Sequence, residues 1–337
     1  MRKSTIIFIV IDVLAIFCFV LFYGPYEKFR NIIVNTAMVT KTHQYIAYTF
    51  YSEETVQKIM DLNKFIPVDE EIKLDDIIID TREKDTYDNE YDEAILKRNN
   101  KGDTYKYLKI KVGSYNAHLV AIYEPSQVRL ITSKSFNTGS GQETVLKMCE
   151  RYGGLVCING GGFKDLDGWG SDTPMGYVIK DGKVIWAEDN SKQDIIGITN
   201  DSKLLLVNAT GEEAINMGMR DGLQFGPFLI VNGESIKYNS SVGGYDRAAR
   251  VAIAQRKDGV IMFLATEGTH GSGPTMKEVI ETLELYGAYN AANLDGGTSS
   301  QMVVNKKLVN NPKNVFGKPV NGGRRVVTGF GLIPDAD

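Results

Sequence analysis

Glycine is unevenly spread along this chain, and its placement constrains the fold more than any other feature. The chain has 34 glycines in 337 residues, about a tenth against a typical ~7%, and the excess lies after Gly102. Glycine at that density cuts a chain into turns and short strands and argues against a helical bundle. The hydrophobic pattern changes in the same region. Residues 25–65 place Ile32, Ile33, Ala37, Ile46, Ile59 and Leu62 at three- and four-residue steps, which predicts helices, and Ser52-Glu53-Glu54-Thr55 supplies a helix start. From about Tyr105 to Leu130 the period becomes two, as in Tyr107 to Val112 and Ala117 to Tyr123, which predicts strands. After that only about 141–152 and 275–287 keep helical spacing. The expectation is an α+β fold. A mixed, strand-rich body over 105–337 follows an N-terminal span, 1–24, and a helical and acidic stalk, 25–104.

Met1-Arg2-Lys3 precedes Thr5 to Tyr23, nineteen residues interrupted by one charge, Asp12. As a helix at ~1.5 Å per residue this run reaches about 28 Å, enough for a hydrocarbon core of ~30 Å. A cleaved signal peptide is the competing reading, but the run ends in Leu-Phe-Tyr-Gly-Pro without an Ala-x-Ala-like site. An uncleaved single-pass anchor with the body outside the cytoplasm is the expectation. The segment 69–93 carries a net charge of −9 and reads as a weakly ordered stalk. The whole chain is only −4, which gives no footprint for nucleic acid. Cys149 falls on a predicted helix and Cys157 on the next strand. A bridge is open to them, and two buried thiols are the expected state. No Cys or His spacing resembles a zinc site.

Four loops at predicted strand ends hold groups suited to a polar site. They are Asn159-Gly160-Gly161-Gly162-Phe163 with Asp172 downstream, Tyr245 to Arg250, Thr266 to Gly271, and Asp295-Gly296-Gly297 with Arg324 and Arg325 returning later. Glycosyl transfer and hydrolysis commonly use two carboxylates, one to protonate the leaving oxygen and one ionised. Asp295 and Glu267 are the two best placed by this reading. Arg247 and Arg250 suit a phosphate, because the guanidinium fork donates two parallel hydrogen bonds. Taken singly, each residue also has a plain structural reading as a turn carboxylate, a surface charge or a turn cap.

Together, Asn-Gly-Gly-Gly-Phe at 159–163, Gly-Pro-Phe-Leu-Ile-Val-Asn-Gly at 226–233, Arg250-Val251-Ala252-Ile253-Ala254, Leu294-Asp295-Gly296-Gly297-Thr298-Ser299-Ser300-Gln301-Met302, and Arg324 before Val327-Thr328 resemble the phosphodiester glycosidase family. This is the uncovering-enzyme-like domain type, whose bacterial relatives are often labelled exopolysaccharide biosynthesis proteins. The resemblance covers roughly 105–334. By position it implies roles for Asn159, Arg250, Asp295, Gly296, Gly297, Ser299 and Arg324, with Asn159 and Ser299 on sugar hydroxyls and the arginines on phosphate. Two departures stand out: Glu267-Gly268 where relatives usually show Asp-Gly, and Thr298 for the third glycine of Asp-Gly-Gly-Gly-Ser. The implied activity is hydrolysis of a sugar 1-phosphodiester on an envelope glycopolymer or its precursor. The alternative is a non-catalytic glycan-binding or assembly factor in exopolysaccharide biosynthesis or export. No cofactor is expected and no metal ligand set is assigned, although hard oxygen ligands near Asp295 would suit Ca²⁺ or Mg²⁺.

Overall fold

A computed structural model describes the chain except residues 1–2, 40–43, 63–64, 67, 69, 165–170, 239–246, 270, 315 and 336–337. It divides into two compact units: Met1–Ile66 with Lys237–Tyr245, and Pro67–Ile236 with Asp246–Asp337.

In the first unit, the helix Lys3–Tyr23 contains the apolar run Thr5–Tyr23, whose 19 residues are long and apolar enough to cross a membrane; a signal sequence passes the same test. The helices Glu27–Val39, Gln44–Phe50 and Glu53–Leu62 follow. They bury Val34, Ala37, Ala47, Tyr51, Val56 and Ile59 in one cluster, so the three- and four-residue apolar spacing marks a real interface. Ser52 starts the last helix by accepting the Thr55 N–H at 3.3 Å.

The second unit is strand-rich, and every pairing among its described strands is antiparallel. A seven-stranded sheet runs in the order Glu234–Ser235, Phe228–Val231, Ala288–Leu294, Val251–Arg256, Ile261–Thr266, Tyr115–Ile122, Tyr105–Val112. A second sheet of five strands runs Lys307–Leu308, Met302–Val304, Val156–Asn159, Thr328–Leu332, Val128–Thr132. The third, also of five, runs Lys183–Ala187, Tyr177–Lys180, Met219–Gln224, Gln193–Thr199, Leu204–Ala209. One buried cluster draws Ile122, Phe263 and Leu294 from the first sheet, Leu130, Ile158 and Phe330 from the second, and Ile196, Leu204 and Leu223 from the third. The three sheets therefore share a core, which fixes their ends relative to one another. This is the expected α+β class.

Helices are few. Val145–Arg151 is capped by Thr144, and Met276–Leu285 by a reciprocal pair in which Thr275 and Glu278 satisfy each other's backbone N–H groups. A third helix, Gly211–Asn216, has the same box from Thr210 and Glu213, which form the Thr-x-x-Glu signature in the sequence.

Two expectations are corrected. Within the acidic segment, the described residues 70–93 are not a loose stalk. Ile77 is buried, the Ile78 and Asp80 N–H groups donate at 2.9 Å to the carbonyls of Lys257 and Asp258, and Asn89 caps the helix Glu90–Leu96. Asp92 on that helix pairs with Arg256 at 2.8 Å. Isolated apolar pegs and one buried ion pair hold the segment, and the surrounding charge hides them in composition. Cys149 and Cys157 are likewise not free thiols: they form a disulfide with Cα atoms 5.9 Å apart. The helix Val145–Arg151 packs directly on the strand Val156–Asn159, which brings the two sulfurs into range.

Candidate active site

Antiparallel pairing sets the positions. Val251 lies opposite both Ala265 and Leu294, so Arg250, Thr266 and Asp295 leave the seven-stranded sheet at one end. In the second sheet Gly329 lies opposite Asn159 and Met302 opposite Ile158, so Asn159, Thr328 and Gln301 share its corresponding end. Hydrogen bonds join the two ends. The Asp295 N–H donates to Gly160 O at 2.9 Å, and Asn159 Nδ2 donates to Asp295 O at 2.6 Å. Asn159 Oδ1 accepts the Gln301 N–H at 2.9 Å. With 1% of its surface exposed, Asn159 is a brace under the Asp295 loop.

The two glycines after Asp295 serve different ends. A Cβ on Gly296 would stand 2.5 Å from Ala249 O and 3.6 Å from Arg250 Cα, so only glycine lets this loop lie on the 249–250 backbone. Gly297 meets nothing within 4 Å but has φ +56°, the left-handed region. Its N–H donates to Ala249 O at 2.8 Å, tying down the same contact. Ser299, in the short turn that follows, is buried, and its N–H donates to Gly296 O at 3.0 Å. Arg250 is half-buried between this loop and the next: its N–H donates to Thr266 Oγ1 at 2.8 Å, and the Thr266 N–H returns to Arg250 O at 2.9 Å.

Glu267 stands one residue beyond Thr266, and its carboxylate is occupied. Oε1 lies 3.3 Å from His118 Nε2 and accepts the Asn311 N–H at 2.9 Å. His118 Nδ1 in turn lies 2.7 Å from the Tyr107 hydroxyl. Burial pushes the Glu267 carboxyl up, but the bonds from His118 and Asn311, with the nearby Lys313 charge, outweigh it and hold the pKa below its ordinary value. A carboxylate so held is ionised at neutral pH, which does not suit the proton-donor role.

The remaining candidates separate. Arg247 is engaged with Glu278 Oε2 at 3.1 Å and Gly273 O at 3.0 Å, at the start of the helix Met276–Leu285. The Arg324 guanidinium lies over the Phe163 ring at 4.9 Å, and its carbonyl accepts from Gln301 Nε2 at 2.8 Å. Arg324 thus joins the Asn159 and Asp295 loops. Asp172 accepts from Thr138 N and Oγ1 at 2.7 Å and from Gly141 N at 3.1 Å. Those bonds overcome its burial and hold its pKa at about 2, so Asp172 clamps a loop. Tyr245, Asp246 and His270 lie outside the described residues. Among the described residues no three His, Cys, Asp or Glu side chains are arranged to hold a metal ion.

Three organising residues were not singled out from sequence. Gln301 is fully buried and reaches Val145 N, Arg324 O and Ser299 O through its side chain. Thr266 holds Arg250, and His118 holds Glu267. A glutamine directly before a buried strand, flanked by Ser300 and Met302, was the available signal, since a buried amide must find partners.

The profile of the phosphodiester glycosidase family matches residues 152–333, more than half of the chain. The SPbeta prophage-derived uncharacterized protein YomE of Bacillus subtilis (strain 168) is 29% identical over 195 residues, 53% of this chain and 29% of that protein. The N-acetylglucosamine-1-phosphodiester alpha-N-acetylglucosaminidase of Mus musculus is 24% identical over 217 residues, 58% of this chain and 41% of the enzyme. The chain spans less than half the length of either curated relative. Among solved structures, the catalytic domain of the zebrafish N-acetylglucosamine-1-phosphodiester alpha-N-acetylglucosaminidase, auto-inhibited by its pro-peptide, shares the fold with a TM-score of 0.57 and 19% identity, over 70% of this chain and 85% of that one. With Asn159, Arg250, the Asp295 loop and Arg324 all inside the matched span, this chain belongs to the phosphodiester glycosidase family.

Proposed function

We propose that this protein hydrolyses the glycosidic C1–O bond of a sugar 1-phosphodiester, on an envelope glycopolymer or its precursor. One observation supports the reading: Gly296 lets the Asp295 loop lie on the 249–250 backbone, and hydrogen bonds with Asn159 Nδ2 and Gly160 O tie the same loop, so the residues that carry a carboxylate and a guanidinium stand on one braced stretch of backbone. Arg250 and Arg324 take the phosphate. The C1–O bond breaks with its electron pair passing to the phosphate oxygen, an anion that needs less protonation than an alkoxide. Asp295 faces the electron-poor anomeric carbon and takes the proton of the incoming water, whose oxygen becomes the anomeric hydroxyl. The products are a free sugar and a phosphomonoester. Asn159 and Ser299 hold this loop from beneath, Arg247 holds the 247–250 segment against Glu278, and Glu267 serves as an ionised anchor.

We place the body outside the cytoplasm, on a membrane through the N-terminal helix. The apolar run Thr5–Tyr23 supports this, as does the Cys149–Cys157 disulfide, a bond that persists in oxidising compartments. The partner is an anionic glycan, not a nucleic acid.

The test is full-length protein in detergent with a synthetic N-acetylhexosamine 1-phosphodiester, followed by phosphorus NMR. Turnover that Asp295→Ala abolishes while binding persists supports the proposal. Tight binding without turnover in the native protein replaces it with the glycan-binding or assembly role.

A further inference from the structure

Residues 311–314 and 316–320 pair as the two arms of a hairpin that the proposed chemistry does not use. Val320 N donates to Pro312 O at 2.8 Å, Asn314 N to Lys318 O at 2.9 Å, and Gly317 N to Asn314 O at 2.8 Å, with Lys313 opposite Pro319. Asn314 Oδ1 also accepts the N–H groups of Phe316 and Lys318, each at 3.0 Å, so the tip is internally tied. The base is tied as well. Asn310 is buried, accepts the Met302 N–H at 2.8 Å and donates to Ser300 O at 2.8 Å, while the Asn311 N–H binds Glu267. Tyr107, His118, Glu267 and Asn311 thus form one chain of contacts that latches the hairpin to the loop following Thr266, and Thr266 itself holds Arg250.

On this support Phe316 is 83% exposed, the highest value among the exposed large apolar side chains of the described residues. Ordering an aromatic ring in water at the tip of a tied hairpin gains nothing for the fold. Lys313 lies near enough to Glu267 for its charge to favour the carboxylate, and Lys318 is exposed on the other arm of the hairpin. An exposed aromatic ring flanked in sequence by two lysines suits a chain in which pyranose rings alternate with phosphates. The C–H face of a pyranose packs on the ring, whose face is electron-rich, and the ammonium groups meet the phosphates.

We propose that the hairpin arms 311–314 and 316–320, latched through Glu267, are a subsite for the anionic glycan chain beyond the scissile linkage, with Phe316 as its stacking platform and Lys313 and Lys318 as its phosphate partners. This rests on the sugar-phosphate reading of the Asp295 site. It also gives Glu267 a purpose distinct from acid–base work: it fixes the distance between the reacting linkage and the next unit.

The experiment compares a monomeric sugar 1-phosphodiester with an oligomer of several sugar-phosphate units. Phe316→Ala is expected to raise the oligomer-to-monomer ratio of KM about ten-fold, Phe316→Trp to restore it, and Ile185→Ala, an exposed apolar residue on the strand Lys183–Ala187, to leave it at the native value. Calorimetry of oligomer binding to Asp295→Asn, with and without Phe316→Ala, reads the subsite independently of turnover. An unchanged KM ratio together with equal oligomer affinity in the two calorimetry variants overturns the subsite. No turnover of either substrate, with oligomer affinity still dependent on Phe316, overturns the hydrolase reading and leaves the subsite standing.

Discussion

Replacing Gly296 and Gly297 by alanine, one at a time, separates two reasons for glycine in adjacent positions. At Gly296 the added methyl would sit 2.5 Å from Ala249 O, about 1 Å inside ordinary contact. The obstacle is backbone, and Val251, two residues on, is paired on both sides within the seven-stranded sheet. The sheet cannot yield, so the Asp295 loop must lift. Overpacking of this kind costs about 1–3 kcal/mol of stability, and a shift of about 1 Å at a reacting group costs about 100-fold in rate. At Gly297 the methyl meets nothing within 4 Å, and the penalty is only that of φ +56°, about 1–2 kcal/mol. Gly296→Ala should therefore lose about two orders of magnitude in kcat, and Gly297→Ala no more than a few-fold, with similar falls in melting temperature. Turnover by phosphorus NMR and thermal melting of the same preparations check this. A kcat for Gly296→Ala within two-fold of native, or a greater loss in Gly297→Ala, refutes the close-approach argument.

Other outcomes follow from the same coordinates. Asn159→Ala removes the side-chain bonds to Asp295 O and Gln301 N; the buried Gln301 N–H left without this acceptor, at about 1–3 kcal/mol, together with the lost part-buried bond to Asp295 O, should lower the melting temperature by several degrees. Cys149→Ser with Cys157→Ser opens a loop of sequence separation 8 and should cost roughly 2–3 kcal/mol, read as the gap between oxidised and reduced melting curves of the native chain. Asp172, held at about 2, contributes stability that is complete above its unfolded value near 3.8 and fades as pH falls towards 2; Asp172→Asn should flatten that part of the acid-stability curve. Glu267 follows the same sign, with stability lost as pH falls below its ordinary value of 4.5 through its depressed folded value; His118→Phe removes a hydrogen bond that lowers this pKa and should move that loss to higher pH. Chelation with EDTA should leave turnover unchanged, because the proposed steps use only Arg250, Arg324 and Asp295.

Much of this arrangement was legible in the residues. Period-two alternation marked the strands Tyr105–Val112 and Tyr115–Ile122, although the second is buried on both faces from Ala117 on, and helical spacing marked Val145–Arg151 and Met276–Leu285, because each helix buries a single face. The glycine loops were legible because close backbone approach leaves few residue types to choose from. What stayed hidden depended on long-range partners. Asn159 reads as a turn cap until Asp295, 136 positions away, is seen above it. Glu267 reads as a second site carboxylate, and its contacts with His118, 149 positions away, and Asn311 through Oε1 are not visible in the sequence. The acidic segment reads as disordered because its charge outweighs Ile77 and the Asp92–Arg256 pair in any window average. The disulfide required the packing of the helix Val145–Arg151 on the next strand, which spacing alone does not give.

The most direct test of the account is hydrolysis of a sugar 1-phosphodiester in oxygen-18 water, with the label located by mass spectrometry of both products. Cleavage at the anomeric carbon puts the heavy oxygen on the C1 hydroxyl of the released sugar and leaves the phosphomonoester unlabelled, and Asp295→Asn abolishes both products. Heavy oxygen in the phosphate means that the P–O bond breaks instead, and that result contradicts the glycosidase account.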